Sequence, residues 1–469
     1  MTLGKAPKKG DLVELRVEKV AFGGQGVSRV DGYVIFVSGG IPGDRVLGRI
    51  IKKKRDYAEA RIEEILESSP DRIQPPCPYH GYCGGCQWQH MRYERQLLYK
   101  KQHVQEAVSR IGALKGIIVR DTIPSARVFS YRNKMEFSFS DRRWYLPEEF
   151  ERKQDRAIKE FALGLHVPGT FSKVIDLDAC LLQQEEGNRI LRDVKELVKK
   201  SGVPVYGLKS HQGYWRFLTL RYSFFHDEWM VNLVTSEERP DLLEPLVKAL
   251  CPMHPRIKTV VNSINTRRAA IALGEKAIVL FGQGMIQDRI GPYEFQISPD
   301  SFFQTNSLTA EALYAKVLEY ADLTGSEVVL DLYSGTGTIP MFLSKGAREV
   351  FGMELAQSAV SDAVTNSRRN QVYNCRFITG DIRASLPGLG LNPDVLVIDP
   401  PRAGMHKDVL SMVMGLSVRR IVYVSCNPST LARDLGGMAQ GYEVTEIQPV
   451  DMFPHTYHVE CVARLLRRS

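Results

Sequence analysis

The chain has 469 residues, of which 43% are hydrophobic and 25% are charged. This length supports two or three domains with separate cores, and the composition excludes an intrinsically disordered chain. No run of 18 apolar residues occurs, so we expect no membrane span, and the net charge of +8 is compatible with a polyanionic partner.

The N-terminal region, 1–68, has the pattern of short strands joined by turns. Apolar and polar residues alternate in DLVELRVEKV, GYVIFVSGGIPGDRVLGRII and ARIEEILE, which predicts a small β-barrel. A basic run at 52–55 falls between two of these strands, either as a solvated turn or as an RNA contact. The opening MTLGKAPKKG lacks the apolar stretch of a secretory signal, so we expect a cytoplasmic protein.

A break rich in proline and polar residues, SSPDRIQPP, separates this region from a group of cysteines. The eight cysteines of the chain are too few for a disulfide scaffold. Cys77, Cys83 and Cys86 are spaced C-x5-C-x2-C, and the glycine pair between the last two leaves the backbone free to wrap a metal. The pattern predicts a metal site, although spacing alone does not choose between zinc and an iron–sulfur cluster. His80 and His90 are available to complete a zinc site.

The central region, 69–285, mixes the two kinds of periodicity. Helices are predicted for MRYERQLLYKKQHVQEAVSRIG and NRILRDVKELVKKSG, each of which ends at a glycine. Antiparallel strands are predicted for YRNKMEFSFS and YWRFLTLRYSFF. We therefore expect a mixed α+β central domain.

From 286 to 469 strand-like segments alternate with helical ones. Five strands in succession are predicted within EVVLDLYSG, VFGMEL, CRFITGDI, DVLVIDPP and RIVYVSCN. This alternation predicts an α/β domain with a largely parallel sheet. YEVTEIQPVDMF and HVECVARLLRR are expected to close the sheet as two further strands.

The segment DLYSGTGTI ends the first of these strands and opens a helix. It is not a G-x-G-x-x-G motif and no Walker lysine follows, which disfavours a dinucleotide or nucleoside triphosphate. An acidic residue before a short Gly-x-Gly loop fits S-adenosylmethionine, which carries an ammonium group. Glu354 ends the next strand, where a carboxylate can accept both ribose hydroxyls, and Asp381 ends a third strand, where an adenine edge would lie.

DPPR at 399–402 follows the fourth strand, and on its own it suggests methylation of an amino nitrogen on a base. Cys426, at the end of the neighbouring strand, favours a different reaction. A thiolate that adds to C6 of uracil makes C5 nucleophilic, and a base must afterwards remove the C5 proton. Glu460 in the last strand is the predicted base, with His455 and His458 as rivals, whereas Cys461 is expected to face the core.

Several stretches together resemble the RNA 5-methyluridine (uracil-C5) methyltransferases, in the bacterial 23S rRNA-type branch with a TRAM domain and an iron–sulfur cluster. These stretches are CPYHGYCGGCQWQH, YRNKMEFSF, FFQTN, DLYSGTGTI, DPPR, VSCNPSTLARD and HVECVARL. The resemblance implies a Rossmann-like class I methyltransferase domain after an N-terminal OB-like TRAM barrel. It also implies that Cys426 is the nucleophile and that Glu460 is the base.

The same resemblance implies which residues bind the cofactors. Contacts to S-adenosylmethionine fall on Gln304, Tyr333, Glu354 and Asp399, whereas Asp381 is predicted from its strand position alone. A [4Fe–4S] cluster is implied, for which Cys180 supplies the fourth ligand, with zinc as the alternative.

The leading hypothesis is S-adenosylmethionine-dependent methylation of uridine C5 in RNA, with 23S ribosomal RNA as the partner of a monomeric enzyme. The barrel at 1–68 and the central domain at 69–285 are expected to bind RNA, and 286–469 is expected to be catalytic. Alternatives are methylation of uridine C5 in tRNA, amino-nitrogen methylation through DPPR, and an RNA-binding protein or chaperone without activity.

Overall fold

The computed structural model describes residues 7–152 and 160–468. The first six residues, part of the segment in which no secretory signal is predicted, lie outside the described residues. The N-terminal sheet has six strands in the order β1-β5-β6-β4-β3-β2. Its strands are β1 (Leu12–Arg16), β2 (Lys19–Val20), β3 (Gly26–Val30), β4 (Tyr33–Ser38), β5 (Arg45–Lys53) and β6 (Tyr57–Glu67).

This sheet curls so that β1 also contacts β3, and alternate side chains fill its interior. Leu15, Ile35, Val46 and Ile50 are at most 1% exposed, as the period of two in the sequence predicts. The basic run at 52–55 covers the end of β5 and the turn that follows it. A helix, α1 (Tyr93–Arg110), and a two-residue strand, β7 (Ile118–Val119), come next.

The central region builds a mixed eight-stranded sheet in the order β15-β14-β13-β12-β8-β10-β11-β9. Its strands are β8 (Lys134–Ser140), β9 (Arg143–Trp144), β10 (Ala162–His166), β11 (Val174–Asp176), β12 (Trp215–Ser223), β13 (Glu228–Thr235), β14 (Ile257–Ile264) and β15 (Lys276–Phe281). The helices of this region are α2 (Pro147–Arg152), α3 (Glu185–Lys200) and α4 (Pro240–Met253). The predicted α+β mixture is therefore present.

A hairpin, β16 (Ile286–Ile290) and β17 (Tyr293–Ile297), leads into the C-terminal part of the chain. The strands there are β18 (Val328–Leu332), β19 (Glu349–Glu354), β20 (Cys375–Thr379), β21 (Val395–Ile398), β22 (Arg420–Ser425), β23 (Tyr442–Val450) and β24 (Glu460–Arg467). Between them lie α5 (Ser307–Ala321), α6 (Thr338–Ser344), α7 (Gln357–Arg369), α8 (Ile382–Ser385), α9 (Lys407–Leu416) and α10 (Pro428–Met438), with a 3₁₀ turn at Leu386–Gly388.

These strands form the second eight-stranded sheet, in the order β20-β19-β18-β21-β22-β24-β23-β7. The first five strands are parallel, and β24 pairs antiparallel with both β22 and β23. The strand order reverses between β18 and β21, and in such sheets ligands bind beyond the carboxyl ends of the strands at this point. The predicted α/β fold with two closing strands is confirmed.

The segment from α1 to β7 belongs to this sheet, although the sequence assigns it to the central region. Strand β7 pairs in parallel with β23, and α1 packs against α10. A Cβ on Gly112, just after α1, would lie 2.7 Å from the carbonyl oxygen of Ala432 in α10, so glycine permits this close approach. A two-residue strand has no periodicity, which is why its partner could not be predicted. Across residues 7–152 and 160–468, no helix is both long and apolar enough to cross a membrane.

Candidate active site

The glycine-rich loop between β18 and α6 turns sharply at the carboxyl edge of the sheet. Tyr333, Gly335 and Gly337 have positive φ angles of 68°, 54° and 79°. A Cβ on Gly337 would lie 2.8 Å from Phe377 Cζ and 2.9 Å from Ala363 Cβ, so only glycine fits there. The predicted strand–loop–helix arrangement is present, and it leaves backbone close to the space beyond the strand ends.

The Glu354 side chain is fixed at the rim of this loop. The Gly335 N–H donates to its Oε2 at 3.0 Å, and the Ala356 N–H donates to its Oε1 at 2.9 Å. Each carboxylate oxygen retains a lone pair for a further donor. The end of β19 thus presents a fixed acceptor beside the loop.

A cavity of about 1140 Å³ opens beyond the carboxyl ends of the parallel strands. All seven residues that the sequence predicts as catalytic or cofactor-binding line it, namely Gln304, Tyr333, Glu354, Asp381, Asp399, Cys426 and Glu460. These residues span more than 150 positions of the sequence, and the sheet brings them together because most of them follow a strand at the same edge.

Asp381 and Gln304 reach the cavity in different ways. Asp381 caps α8 by accepting from the Arg383 N–H at 2.9 Å, and its carboxylate pairs with the Arg383 guanidinium at 2.6 Å. This pairing lowers the pKa of Asp381. Gln304 lies just before α5, where its carbonyl oxygen accepts from Asn133 Nδ2 at 2.9 Å and its side chain contacts the buried Tyr314 hydroxyl.

Cys426 and Glu460 come together through the antiparallel pairing of β22 and β24. Ser425 is paired with Cys461, so Cys426 and Glu460 are the next residues along their strands. Cys461 faces the core and is fully buried, as predicted. Asp399 follows β21, the strand beside β22, and completes an acidic group around the thiol.

Burial raises the pKa of each of these three groups, which favours its neutral form. It raises the pKa of Glu460 to about 8, and Asp399 adds to this shift while Arg402 opposes it. Burial also raises the pKa of Asp399 to about 7. Burial and the Glu460 carboxylate raise the pKa of the Cys426 thiol to about 11, which Arg402 counteracts. A carboxylate that ionises here disfavours ionisation of the groups beside it, and a cation in the cavity would favour their ionised forms.

The two histidines considered as rival bases are not equivalent. His458 lines the cavity, and burial together with Arg402 lowers its pKa to about 4. His455 is not part of the cavity wall, and its buried ring contacts Gln96 and stacks on Phe129. A base is most effective when its pKa lies near the working pH, which favours Glu460 over either ring.

Four further wall residues carry charge or an aromatic ring. The sequence suggests Phe302 and Phe303 as supports for a turned-out base and Arg132 as a contact to phosphate or base. Phe302 is 67% exposed and lines the cavity, whereas its neighbour Phe303 is 4% exposed and packs in the core. Arg132 also lines the cavity, with its guanidinium carbon 6.0 Å from the centre of the Phe453 ring. Arg402 lines the cavity as well, and the sequence distinguishes it only as the last residue of the DPPR motif.

Asp331 lies in strand β18, two residues before Tyr333 of the cavity wall. It is fully buried, and neither carboxylate oxygen has a hydrogen-bond partner among the described residues. Burial, together with Asp399 and Glu354, raises its pKa well above the usual range. Unpaired buried carboxylate oxygens are costly, and the raised pKa favours the neutral carboxyl group.

The cysteine group forms a second, smaller cavity away from the first. Cys77, Cys83, Cys86 and Cys180 all line it, although Cys180 is distant in the sequence. Its other walls are mainly apolar, and they include Leu165, Leu177 and Leu182. Four thiols in an apolar surrounding suit an iron–sulfur cluster chemically.

Within residues 7–152 and 160–468, however, no group of three or more His, Cys, Asp or Glu side chains is arranged to hold a metal ion. His80 lines the cysteine cavity, but its Nε2 lies 2.8 Å from His90 Nδ1 in a hydrogen bond. The histidines thus contact each other, and the geometry does not select zinc.

Two family models match the chain. The model described as tRNA (Uracil-5-)-methyltransferase matches residues 261–383 and 390–468, and the TRAM domain model matches residues 7–62. An uncharacterized RNA methyltransferase of Chlorobaculum tepidum is 42% identical, with 97% of this chain and 96% of the relative covered. A second one, from Halalkalibacterium halodurans, is 39% identical, with 99% of each covered.

A solved structure extends this likeness to the fold. The Pyrococcus abyssi tRNA (uracil-54, C5)-methyltransferase, in complex with S-adenosyl-L-homocysteine, matches with a TM-score of 0.75 and 29% identity. The match covers 97% of this chain and 99% of that protein. The chain is an enzyme that methylates RNA, and it belongs to the S-adenosylmethionine-dependent RNA uracil-5 methyltransferases, with an N-terminal TRAM domain.

Proposed function

We propose that the protein methylates C5 of uridine in RNA through a covalent bond between Cys426 and C6 of the base. The observation that carries this proposal is the juxtaposition of Cys426 and Glu460 in the cavity that also contains the glycine-rich loop. Amino-nitrogen methylation needs neither a thiol nor a second base at this position. A vestigial RNA-binding protein would need none of these groups.

The reaction balances with two residues of this chain. The Cys426 thiolate forms a bond to C6, and the C5=C6 electron pair moves onto C5, which takes the methyl group. Glu460 then removes the C5 proton, the electron pair re-forms C5=C6, and the C6–S bond breaks to return the thiolate. S-adenosylmethionine supplies a methyl group on a positively charged sulfur.

One cation beside the Cys426 thiol favours its ionised form, against the burial and the carboxylates that raise the pKa of the thiol to about 11. Arg402 is the cation that favours the Cys426 thiolate, while the neighbouring carboxylates disfavour it. A raised pKa keeps Glu460 largely protonated at neutral pH in the free protein, which removes one negative charge next to the thiol. Glu460 is then a strong base once it has lost its proton.

We assign the cofactor contacts to the residues around the glycine-rich loop. Glu354 accepts the ribose hydroxyls, and Tyr333, Gln304, Asp381 and Asp399 surround the remainder of the molecule. The fixed Glu354 carboxylate, whose oxygens retain lone pairs beside the loop, supports a ligand that carries hydrogen-bond donors.

RNA is expected to approach along the face that carries Phe302 and Arg132. A third cavity, of about 510 Å³, adjoins the active-site cavity and shares Arg132 and Thr305 with it. Lys134 and the glycine pair 84–85 line this third cavity, which supports a path for nucleotides beside the flipped uridine. In this proposal the barrel at 1–68 and the central domain at 69–285 bind RNA, and 286–469 is catalytic.

The proposed target is 23S ribosomal RNA, and a monomer is the expected state. The target rests on the resemblance to the ribosomal branch with a TRAM domain. The second candidate is tRNA, since the Pyrococcus abyssi protein bears the name of a tRNA (uracil-54, C5)-methyltransferase. Comparison of 5-methyluridine in both RNA classes from a deletion strain, by mass mapping, separates the two.

We also propose a [4Fe–4S] cluster on Cys77, Cys83, Cys86 and Cys180, with zinc as the alternative. The convergence of all four thiols on one cavity supports it. Its role would be structural or in RNA binding, because the methylation steps move no electrons to or from a redox centre.

Trapping with 5-fluorouridine RNA tests the mechanism. Fluorine cannot leave C5 as a proton does, so a competent Cys426 should form a complex that survives denaturation. Cys426→Ala should abolish both this complex and methylation, whereas Cys251→Ala should keep both. Methylation retained by Cys426→Ala would favour amino-nitrogen chemistry, and a wild-type protein that binds RNA without methylating it would favour the non-enzymatic alternative.

A further inference from the structure

The loop 451–459, called the connecting loop below, joins β23 to β24 and leads directly into Glu460. Two of its residues, Phe453 and His458, line the active-site cavity together with Glu460. The loop therefore forms the wall on the side of the proposed base. Its path depends on contacts with distant parts of the chain.

The first anchor of the connecting loop is a fully buried ion pair. Lys100 Nζ of α1 donates to Asp451 Oδ1 at 2.5 Å and to the Phe453 carbonyl oxygen at 3.0 Å. The Tyr93 hydroxyl, about two turns earlier on the same face of α1, donates to Asp451 Oδ2 at 2.8 Å. Lys100 and Asp451 are both completely shielded from solvent.

The second anchor holds the turn at His455. The His455 N–H donates to Gln96 Oε1 at 2.9 Å, and Gln96 Nε2 lies 3.2 Å from His455 Nδ1. The Gln87 and Trp88 N–H groups donate to the His455 carbonyl oxygen at 2.8 and 2.9 Å. Both of these residues directly follow Cys86, so the cysteine segment contributes to the anchor.

The backbone of His455 shows that this turn is imposed by its surroundings. Its φ angle is 65°, a left-handed conformation that is unfavourable for a residue other than glycine. Such strain persists only where the surrounding contacts outweigh it, and it is concentrated at functional sites. Phe129 stacks on the imidazole with a ring separation of 4.3 Å and closes the remaining side.

The chemistry of the anchors is costly if stability is their only purpose. A buried ion pair contributes little net stability, because desolvation offsets the attraction, and apolar residues of similar volume often replace it without loss. Neither Lys100 nor Gln96 lines the cavity, so neither can contact the substrate there. What the pair supplies is a fixed position for Asp451 and Phe453.

We infer that Lys100 and Gln96 are positioning residues for proton removal by Glu460. They fix both the start and the turn of the connecting loop, and the loop fixes the wall against which Glu460 meets the C5 proton. This inference rests on the proposed function. It separates two steps, because Cys426 directly follows β22, whereas the connecting loop leads into Glu460.

The test compares adduct formation with release in two variants of the full-length protein. Lys100→Met/Asp451→Asn removes the ion pair without leaving an unpaired charge, and Gln96→Leu removes the second anchor with a side chain of similar size. Trapping on 5-fluorouridine RNA reports addition of Cys426. The second assay uses ordinary uridine RNA and labelled S-adenosylmethionine, with one turnover. A labelled complex that resists denaturation then indicates slow proton removal.

We expect both variants to trap 5-fluorouridine RNA at a rate within about twofold of wild type. Release from uridine RNA should slow by on the order of 10-fold or more, since small misplacements of a catalytic group have large effects. The methylated covalent complex should therefore accumulate on uridine RNA in the variants and not in wild type.

Arg420→Met is the matched control. Arg420 begins β22, and Cys426 follows the last residue of the same strand. The substitution removes buried bonds to the Asp322 carbonyl oxygen at 2.9 Å and to its carboxylate at 3.0 Å. It should lower the thermal midpoint without accumulation of the complex. If the anchor variants lose addition and release in equal proportion, the positioning role is overturned. If wild type traps no 5-fluorouridine RNA, the proposed function fails as well.

Discussion

Cys426 and Glu460 stand side by side at one end of a pair of antiparallel strands, because Ser425 is paired with Cys461. Cys426 follows the last residue of β22 and Glu460 begins β24, so the pairing of the two strands holds the two residues in register. Ladder pairing defines position more firmly than a loop can. The sheet thus sets the backbone positions of the proposed nucleophile and base, and the connecting loop forms the cavity wall beside the proposed base.

Glu460→Gln should stop the reaction after methyl transfer. The amide cannot accept the C5 proton, so the RNA should stay bound to Cys426 and turnover should fall by on the order of 10²- to 10⁴-fold. A gel-stable complex with ordinary uridine RNA measures this directly. His458→Gln is the comparison variant, and accumulation of the complex in that variant alone would identify His458 as the base.

The rate of methylation should rise with pH between about 6 and 9. Burial raises the pKa of Glu460 to about 8, and proton removal requires the ionised carboxylate. The rate should therefore fall steeply at low pH. The midpoint of the pH profile of kcat/KM should lie well above the ordinary pKa of glutamate. A rate that is flat across this range would show that no group with a raised pKa takes part.

The same shift predicts how stability depends on pH. A raised pKa means that the folded protein binds the Glu460 proton more tightly than the unfolded chain does. The resulting stability is fully present below the ordinary pKa near 4.3, and it is lost as pH rises to about 8. Glu460→Gln has no such proton, so its free energy of unfolding should improve relative to wild type between pH 5 and 8, as denaturant titrations would show.

Glu354→Gln should weaken binding of S-adenosylmethionine. Hydrogen bonds to a charged acceptor contribute about 1.5–3 kcal/mol, so we expect the Kd from calorimetry to rise by roughly 10-fold or more. Glu349→Gln, at the other end of β19, is the control and should leave the Kd unchanged. Equal affinities in both variants would contradict the ribose assignment.

The cysteine cavity should contain iron after anaerobic purification. A [4Fe–4S] cluster requires about four iron and four sulfide per chain and gives a broad visible absorbance. Cys83→Ser should lower the metal content, whereas Cys251→Ser, outside the cavity, should not. One zinc per chain without sulfide would establish the alternative.

Much of the candidate site could be predicted because parallel strands share one edge. Glu354, Asp399 and Cys426 each close a strand-like segment, and the carboxyl ends of such strands meet at a crevice. The pairing of Cys426 with Glu460 could be anticipated for a similar reason, since two strands after the parallel run must return to the sheet. Each of these residues lies in a short sequence motif at a strand end, which can be recognised without knowledge of distant segments.

Contacts between distant segments could not be predicted in this way. Lys100 and Asp451 are separated by 351 positions, and nothing in the helical pattern of α1 distinguishes Lys100 from an exposed lysine. Phe302 and Phe303 are equally apolar, yet one is exposed and the other lies in the core. Burial at such positions follows from tertiary packing, which hydrophobic periodicity does not encode.

The placement of β7 and α1 restricts how this catalytic unit can be exchanged between proteins. A fragment that begins at 286 would lack both elements, and β23 would present unpaired N–H and C=O groups that recruit other chains. The surface of α10 that α1 covers would also be exposed. A chimera that joins this catalytic sheet to a foreign RNA-binding module must therefore keep a segment from the other side of the central domain, which makes simple end-to-end fusion unsuitable.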